Sequence, residues 1–102
     1  MVIKFNNKYL EDLLLDQVKG KPKFDKHIVL KYKKTIKILQ RMPDLDGLKF
    51  LISLNFEALK GNRKGSYSVR VDYKYRLIFR VVNEVVTLSE LVIIDELTNH
   101  YQ

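Results

Sequence analysis

A change of hydrophobic period constrains this chain more than any other feature. Up to Leu39 the apolar residues recur every three or four positions, and from Ser66 they recur every two. Ser66 to Asp72 alternates Tyr67, Val69 and Val71 with Ser68 and Arg70, and Lys74 to Val82 alternates Tyr75, Leu77, Phe79 and Val81 with Arg76, Ile78, Arg80 and Val82. A period of two sends successive side chains to opposite faces of a pleated strand. Because only Asp72-Tyr73-Lys74 joins the two runs, they are expected to fold back on each other as an antiparallel hairpin. Asn83-Glu84 offers a second tight turn, which makes Val85 to about Glu96 the next strand of a meander.

The first half reads differently. Val2 to Phe5 is β-branched and aromatic and stops at Asn6-Asn7, the pattern of a strand running into a helix cap. From Asn7 the residues Leu10, Leu13, Leu14 and Val18 fall at helical spacing, with Glu11 and Asp12 near the positive end of the helix dipole and Gly20 and Pro22 as the stop. Asp25 is placed to cap a second, longer helix whose buried stripe is Ile28, Tyr32, Ile36 and Leu39, closed by Pro43. Asp44 caps a short third helix, Leu45 to about Ile52, and Ser53 to Gly65 reads as an irregular connector turning at Gly61 and Gly65. The expected fold is therefore α+β, in the order β-α-α-(α)-β-β-β. The N-terminal strand and the helices pack on one face of a small, mainly antiparallel sheet, and residues 1–102 form a single domain. The opposite face is left to display part of the Arg/Ser set.

Charge supplies the functional lead. The net charge is +7, and between Asn55 and Arg80 there are seven Lys/Arg against two Asp/Glu. Val81 to Gln102 carries acids and no Lys or Arg. The cations gather in a loop (Lys60, Arg63, Lys64) and on the strands (Arg70, Arg76, Arg80), with Ser68 among them and tyrosines interleaved. Such a surface suits a phosphodiester chain. Lys19 to Arg41 adds nine Lys/Arg against one acid, and Lys33, Lys34 and Lys37 are assigned to phosphate contact from the second helix. With no cysteine and only His27 and His100, no metal site and no cofactor are expected. No apolar run reaches bilayer length, and the N-terminus lacks the layout of a signal peptide, so a cytoplasmic location away from membranes is expected.

The motif FEALKG-x-RKG-x-YS-x-RV, followed by YRLIF and ending in NHYQ, resembles the RelE/ParE superfamily of toxin-antitoxin toxins, most closely its HigB and YoeB branches. The likeness implies an mRNA endonuclease acting in the ribosomal decoding site and held inactive by a cognate antitoxin that carries a DNA-binding domain. By the YoeB-like pattern, Glu57 matches the general base, Arg76 the arginine facing the scissile phosphate, His100 the general acid, and Tyr101 its aromatic neighbour. Arg70 matches a basic strand position used on phosphate. The chain departs from the pattern at Ala58, where proline is usual, at Tyr67, where tryptophan is common, and in the position of its terminal histidine.

The residue types suit the chemistry. Metal-free RNA cleavage uses the substrate's own 2′-hydroxyl, so the protein has to supply a base, an acid and cations for the developing phosphorane. Glu57 is the only carboxylate between Asp46 and Asp72. Two other functions stay open: by the same resemblance, a ParE-like inhibitor of DNA gyrase with the same fold, and a non-catalytic RNA-binding regulator. His27 is read as a partly buried packing residue. Tyr32 and Tyr75 are read as core, whereas Tyr67 and Tyr101 are open to base stacking or to covering the sheet edge.

Overall fold

The computed structural model describes residues 1–84 and 89–100. Strand β1 (Val2–Phe5) leads into helices α1 (Lys8–Leu14) and α2 (Lys26–Arg41), then through 3-10 turns to strands β2 (Glu57–Ala58), β3 (Ser66–Arg70), β4 (Arg76–Glu84) and β5 (Ser89–Thr98). The five strands form one sheet in the order β1-β5-β4-β3-β2. Its β2-β3-β4-β5 part is antiparallel. β1 pairs parallel with β5, Val2 opposite Leu91 and Phe5 opposite Ile94, which the intervening helices allow by crossing over one face. This is the α+β arrangement expected. Among the described residues no helix is long and apolar enough to cross a membrane.

The core lies between the helices and that face. Leu10 and Leu13 from α1 and Ile28, Tyr32, Ile36 and Leu39 from α2 meet Val69, Leu77, Phe79, Val92, Ile94 and Leu97 from the sheet. The stripe expected of α2 is the one buried. The Tyr32 hydroxyl, taken out of water with its ring, donates to the Leu10 carbonyl at 2.7 Å and so ties the two helices.

Several boundaries differ from the sequence reading, each for a local reason. α1 stops at Leu14 rather than near Gly20, because Asp16 adopts φ 58° and the Gln17 N–H reaches back to the Asp12 carbonyl at 2.8 Å. That is a Schellman closure with aspartate in the place glycine usually takes. Val18 thus packs on the core from a loop. The third helix is a 3-10 turn, Asp46–Phe50, with the Asp44 carboxylate accepting from the Gly47 N–H, followed by a second at Ile52–Leu54. With only Leu48 and Leu54 of these turns buried, little packing is available to extend them. The supposedly irregular connector contains β2. Asn83 and Glu84 form no turn: they pair with Glu90 and Ser89 inside the ladder, and residues 85–88, where the next strand was expected to begin, lie outside the described residues. The β3-β4 connection is wider than expected, spanning Val71 to Tyr75, and is folded by the Asp72 carboxylate accepting from the N–H groups of Lys74 and Tyr75.

One irregularity in β5 arranges the far face. Ile78 pairs with Glu96 and Phe79 with Ile94, so Asp95 is an extra, unopposed residue. Strict alternation from Val92 and Ile94 would send Glu96 into the core and Leu97 to the far face. The bulge reverses that assignment, and Leu97 is buried while Asp95 and Glu96 both reach arginines.

Candidate functional site

The site grows from the edge where β2 meets β3. Asn55 closes the second 3-10 turn in the left-handed conformation, φ 44° and ψ 57°, which asparagine tolerates better than most residues. Phe56 then stacks on Tyr67 at 5.4 Å between ring centroids, and Tyr67 leans on Phe79 at 5.9 Å. That column anchors the two-residue strand. Glu57 lies opposite Ser68 and is exposed, and it makes no ion pair with Lys60 or any other described residue. Tyr67, left open between base stacking and packing, is committed to packing here.

Arg76 sits at the start of β4, opposite Arg70 and two pairs along the ladder from Ser68. Its Nε donates to Ser68 Oγ at 2.9 Å, and its Nη2 donates to the Asn55 carbonyl and, at 3.4 Å, to the Ser68 carbonyl. The left-handed turn at Asn55 aims that carbonyl at the guanidinium. Arg76 is only 3% exposed, so a ligand reaches its guanidinium only if neighbouring chain gives way. Ser68, expected among the RNA contacts, is fully buried, and its hydroxyl is occupied in orienting Arg76.

Across the ladder from Arg76 stands Thr98. The Thr98 hydroxyl accepts from the His100 N–H at 2.9 Å and lies 3.3 Å from the His100 carbonyl, folding the exposed His100 back beside the strand end. Register places Glu57 opposite Ser68 on β3, Arg76 on β4 opposite Thr98, and His100 just beyond Thr98 at the end of β5. Tyr101 lies outside the described residues. Asn55 and Thr98 were missed from sequence; a polar residue at a turn end and another at a strand end carry no signal of what they hold.

The expected RNA-binding cations divide by partner. Arg80 forks onto Asp95, Nε to Oδ2 at 2.7 Å and Nη2 to Oδ1 at 2.8 Å. The pair holds the Asp95 carboxyl below its ordinary range and raises the Arg80 guanidinium further. Arg63 reaches Glu96 at 3.1 Å. Arg63 belongs to the connection between β2 and β3 and Glu96 to β5, so this bridge ties that connection to the far face of β5. The face opposite the helices is therefore not fully open, contrary to expectation. Lys33 is held by Asp16. In contrast Lys34, Lys37, Lys60, Lys64 and Arg70 are exposed and have no ion pair among the described residues.

His27 corrects another expectation. Its side chain is 62% exposed, with Nε2 4.0 Å from Asp72, and it is not part of the packing. Among the described residues no group of His, Asp or Glu is placed to hold a metal ion. The sheet edge and strand ends thus carry an exposed carboxylate at Glu57, an oriented guanidinium at Arg76 and an exposed imidazole at His100.

Comparison with known proteins gives a consistent picture. The family described as "RelE-like toxin of type II toxin-antitoxin system HigB" matches residues 3–92. A YoeB/ParE toxin from Agrobacterium tumefaciens superposes with a TM-score of 0.64 at 22% identity, covering 99% of this chain and 100% of that one. A YoeB-YefM complex from Staphylococcus aureus gives 0.61 at 26% identity over 99% and 98%. YafQ from E. coli strain BL21(DE3) gives 0.52 at 20% identity over 93% and 88%. The first and last, at such low identity, speak for the fold alone. No curated protein matches the chain.

Proposed function

The chain belongs to the HigB family of RelE-like toxins of type II toxin-antitoxin systems, and from that premise we propose that it is a metal-independent endoribonuclease cleaving mRNA in the ribosomal decoding site. The observation that carries this reading is the junction at Ser68. Its backbone lies opposite Glu57 and its hydroxyl holds Arg76, while Arg76 faces Thr98, which clasps His100.

In this mechanism Glu57 takes the proton of a ribose 2′-hydroxyl, and the resulting oxyanion attacks the adjacent phosphorus. The bond from phosphorus to the 5′-oxygen breaks, and His100 donates a proton to that leaving oxygen. The products are a 2′,3′-cyclic phosphate and a 5′-hydroxyl end. Arg76 neutralises charge on the non-bridging oxygens. Three of the acceptors that it holds, the Ser68 hydroxyl and the Ser68 and Asn55 carbonyls, are neutral, and a phosphate oxygen offers a stronger, charge-assisted bond than any of these three. Tyr101 is assigned as the aromatic neighbour of His100, and Lys60 and Arg70 assist on phosphate.

The partner is a cognate antitoxin with a DNA-binding domain. The YoeB-YefM complex, at 26% identity, supports a protein partner of this kind. The test is to map 5′ ends of cellular mRNA after brief induction of the parent and of Glu57→Ala. New 5′-hydroxyl ends inside reading frames are expected with the parent alone. An absence of new ends, with DNA supercoiling inhibited instead, would replace this reading with a gyrase-directed one.

A further inference from the structure

Asn55 is exposed, and its side-chain amide takes part in no hydrogen bond among the described residues, although its backbone carbonyl is bound by Arg76. With Lys49, Leu51, Ile52 and Phe56 it lines a crevice beside the 3-10 turns. The properties of that lining define what the crevice can take. Its cation is already balanced, because Lys49 lies 3.5 Å from Asp46, and little attraction for an anion is left. Phe56 is held in place by its stack on Tyr67, which leans in turn on Phe79, so this part of the wall is stiff. Ile52 adds an apolar surface that is 88% exposed. A flat, uncharged ligand with apolar faces and a polar edge meets all of these conditions. The amide offers a donor and an acceptor side by side, as the edge of a nucleobase does. The backbone points the same way: glycine would adopt the left-handed turn at residue 55 with less strain, whereas asparagine brings an amide to the crevice.

Size and position narrow the ligand further. The crevice holds about 250 Å³, below the range of about 300–1,000 Å³ usual for drug-sized ligands, which suits a single ring system. Its wall is also continuous with the candidate site, since the Asn55 carbonyl holds the Arg76 guanidinium and Glu57 follows two residues later. We propose that the crevice seats a nucleobase of the RNA next to the cleaved bond, with the Asn55 amide reading its edge and Ile52 covering its face. The assignment rests on the ribonuclease reading above and adds to it the residue that sets base preference. Phosphate contacts cannot set that preference, because every nucleotide carries the same phosphate.

The test is single-turnover cleavage on ribosomes programmed with mRNAs that differ by single bases in the decoding-site codon. It compares the parent with Asn55→Gly and Ile52→Ser. Asn55→Gly deletes the amide while glycine keeps the left-handed turn and its carbonyl, and Ile52→Ser changes an exposed side chain. For the parent, rates are expected to differ about tenfold or more between the best and the poorest base at one codon position. Asn55→Gly is expected to bring that ratio close to one; the ratio, unlike the rate, is insensitive to any general disturbance of Arg76. Ile52→Ser is expected to raise KM about tenfold, as the loss of a stacking surface does, and to keep the order of preference. A ratio unchanged in Asn55→Gly would overturn the proposal and leave the ribonuclease reading intact, as would a parent that cleaves without base preference. If both variants kept the parent's preference and KM but bound a co-purified antitoxin more weakly, the crevice would be a protein-docking site and the proposal would fall. For a parent that cleaves no RNA, fluorescence anisotropy with labelled oligo-A, oligo-C, oligo-G and oligo-U takes the place of cleavage. Preference for one base, lost in Asn55→Gly, would leave the crevice standing and remove the ribonuclease reading, and equal binding of all four would remove both.

Discussion

Arg80 and Asp95 form a two-pronged bridge between β4 and β5, at 2.7 and 2.8 Å, on the far side of the sheet from the helices. Asn6 adds a third hydrogen bond to the same carboxylate at 3.0 Å, so the chain just after β1 is fastened at this point too. An arginine that reads as an RNA contact is thereby a clasp for three strands.

The clasp predicts an acid-side pH dependence of stability. Arg80 holds the Asp95 carboxyl below its ordinary range, burial opposes this, and Asn6 adds to it. Burial pushes the Asp72 carboxyl up, but the N–H groups of Tyr75 and Lys74, with Lys31 and His27, outweigh it and the net shift is also downward. A folded-state pKa below that of the unfolded chain means stability that is fully present above about pH 4 and is lost as pH falls through the folded value. Asp95→Asn should cost about 1 kcal/mol at pH 7, a modest figure because the bridge is partly exposed, and much less near pH 2. Urea unfolding at both pH values checks this. An equal loss at both would mean that the charge on Asp95 is not what matters.

Tyr32→Phe removes the buried hydroxyl that joins the helices. The expected cost is about 1–2 kcal/mol, with little change in the denaturant slope. A neutral effect would show that the Leu10 carbonyl is satisfied without it.

Arg63 is predicted to contribute little to RNA binding while Glu96 holds it. Glu96→Gln should release it, raising RNA affinity a few-fold and steepening the salt dependence, whereas Arg63→Gln should change both only slightly. Titrations of the two variants against the same single-stranded RNA decide the matter, and the opposite ranking would rule out Glu96 as a charge sink for Arg63.

In single-turnover cleavage, Glu57→Ala and His100→Ala should each lose about a hundredfold or more, with binding much less affected. Arg76→Gln should lose a similar factor and some affinity as well. The double variants should fall short of the product of the single effects. Ser68→Ala, which frees Arg76 from its hydroxyl partner, should lower the rate by less and leave the shape of the pH profile unchanged, as expected of a residue that only positions another. Near-parent rates for both Glu57→Ala and His100→Ala would end the acid-base assignment.

Antitoxin binding should weaken as salt rises, because an acidic segment covering a surface of net charge +7 is held partly by screened attraction. Calorimetry at low and moderate ionic strength measures this. Salt-independent affinity would shift attention to Phe50 and Ile52, large apolar side chains 82% and 88% exposed on the 3-10 turns beside Asn55.

What the sequence determined by itself follows from local burial. The period of 3.6 in α2 picked out Ile28, Tyr32, Ile36 and Leu39, and the period of two picked out the β3-β4 hairpin, because each side chain's exposure is set by its own element's repeat. Glu57, Arg76 and His100 were singled out by resemblance, and their roles belong to the proposal above. Only the tertiary structure decided which charges are available. A bulge at Asp95 turned Glu96 outward and Leu97 inward. Register then gave Arg80 to Asp95, a loop crossing gave Arg63 to Glu96, and a left-handed aspartate at the end of α1 met Lys33. These pairings join residues up to 33 positions apart. Periodicity reports which way a side chain points within its element, whereas ion pairing depends on where two separate elements come to rest, and no local pattern encodes that distance.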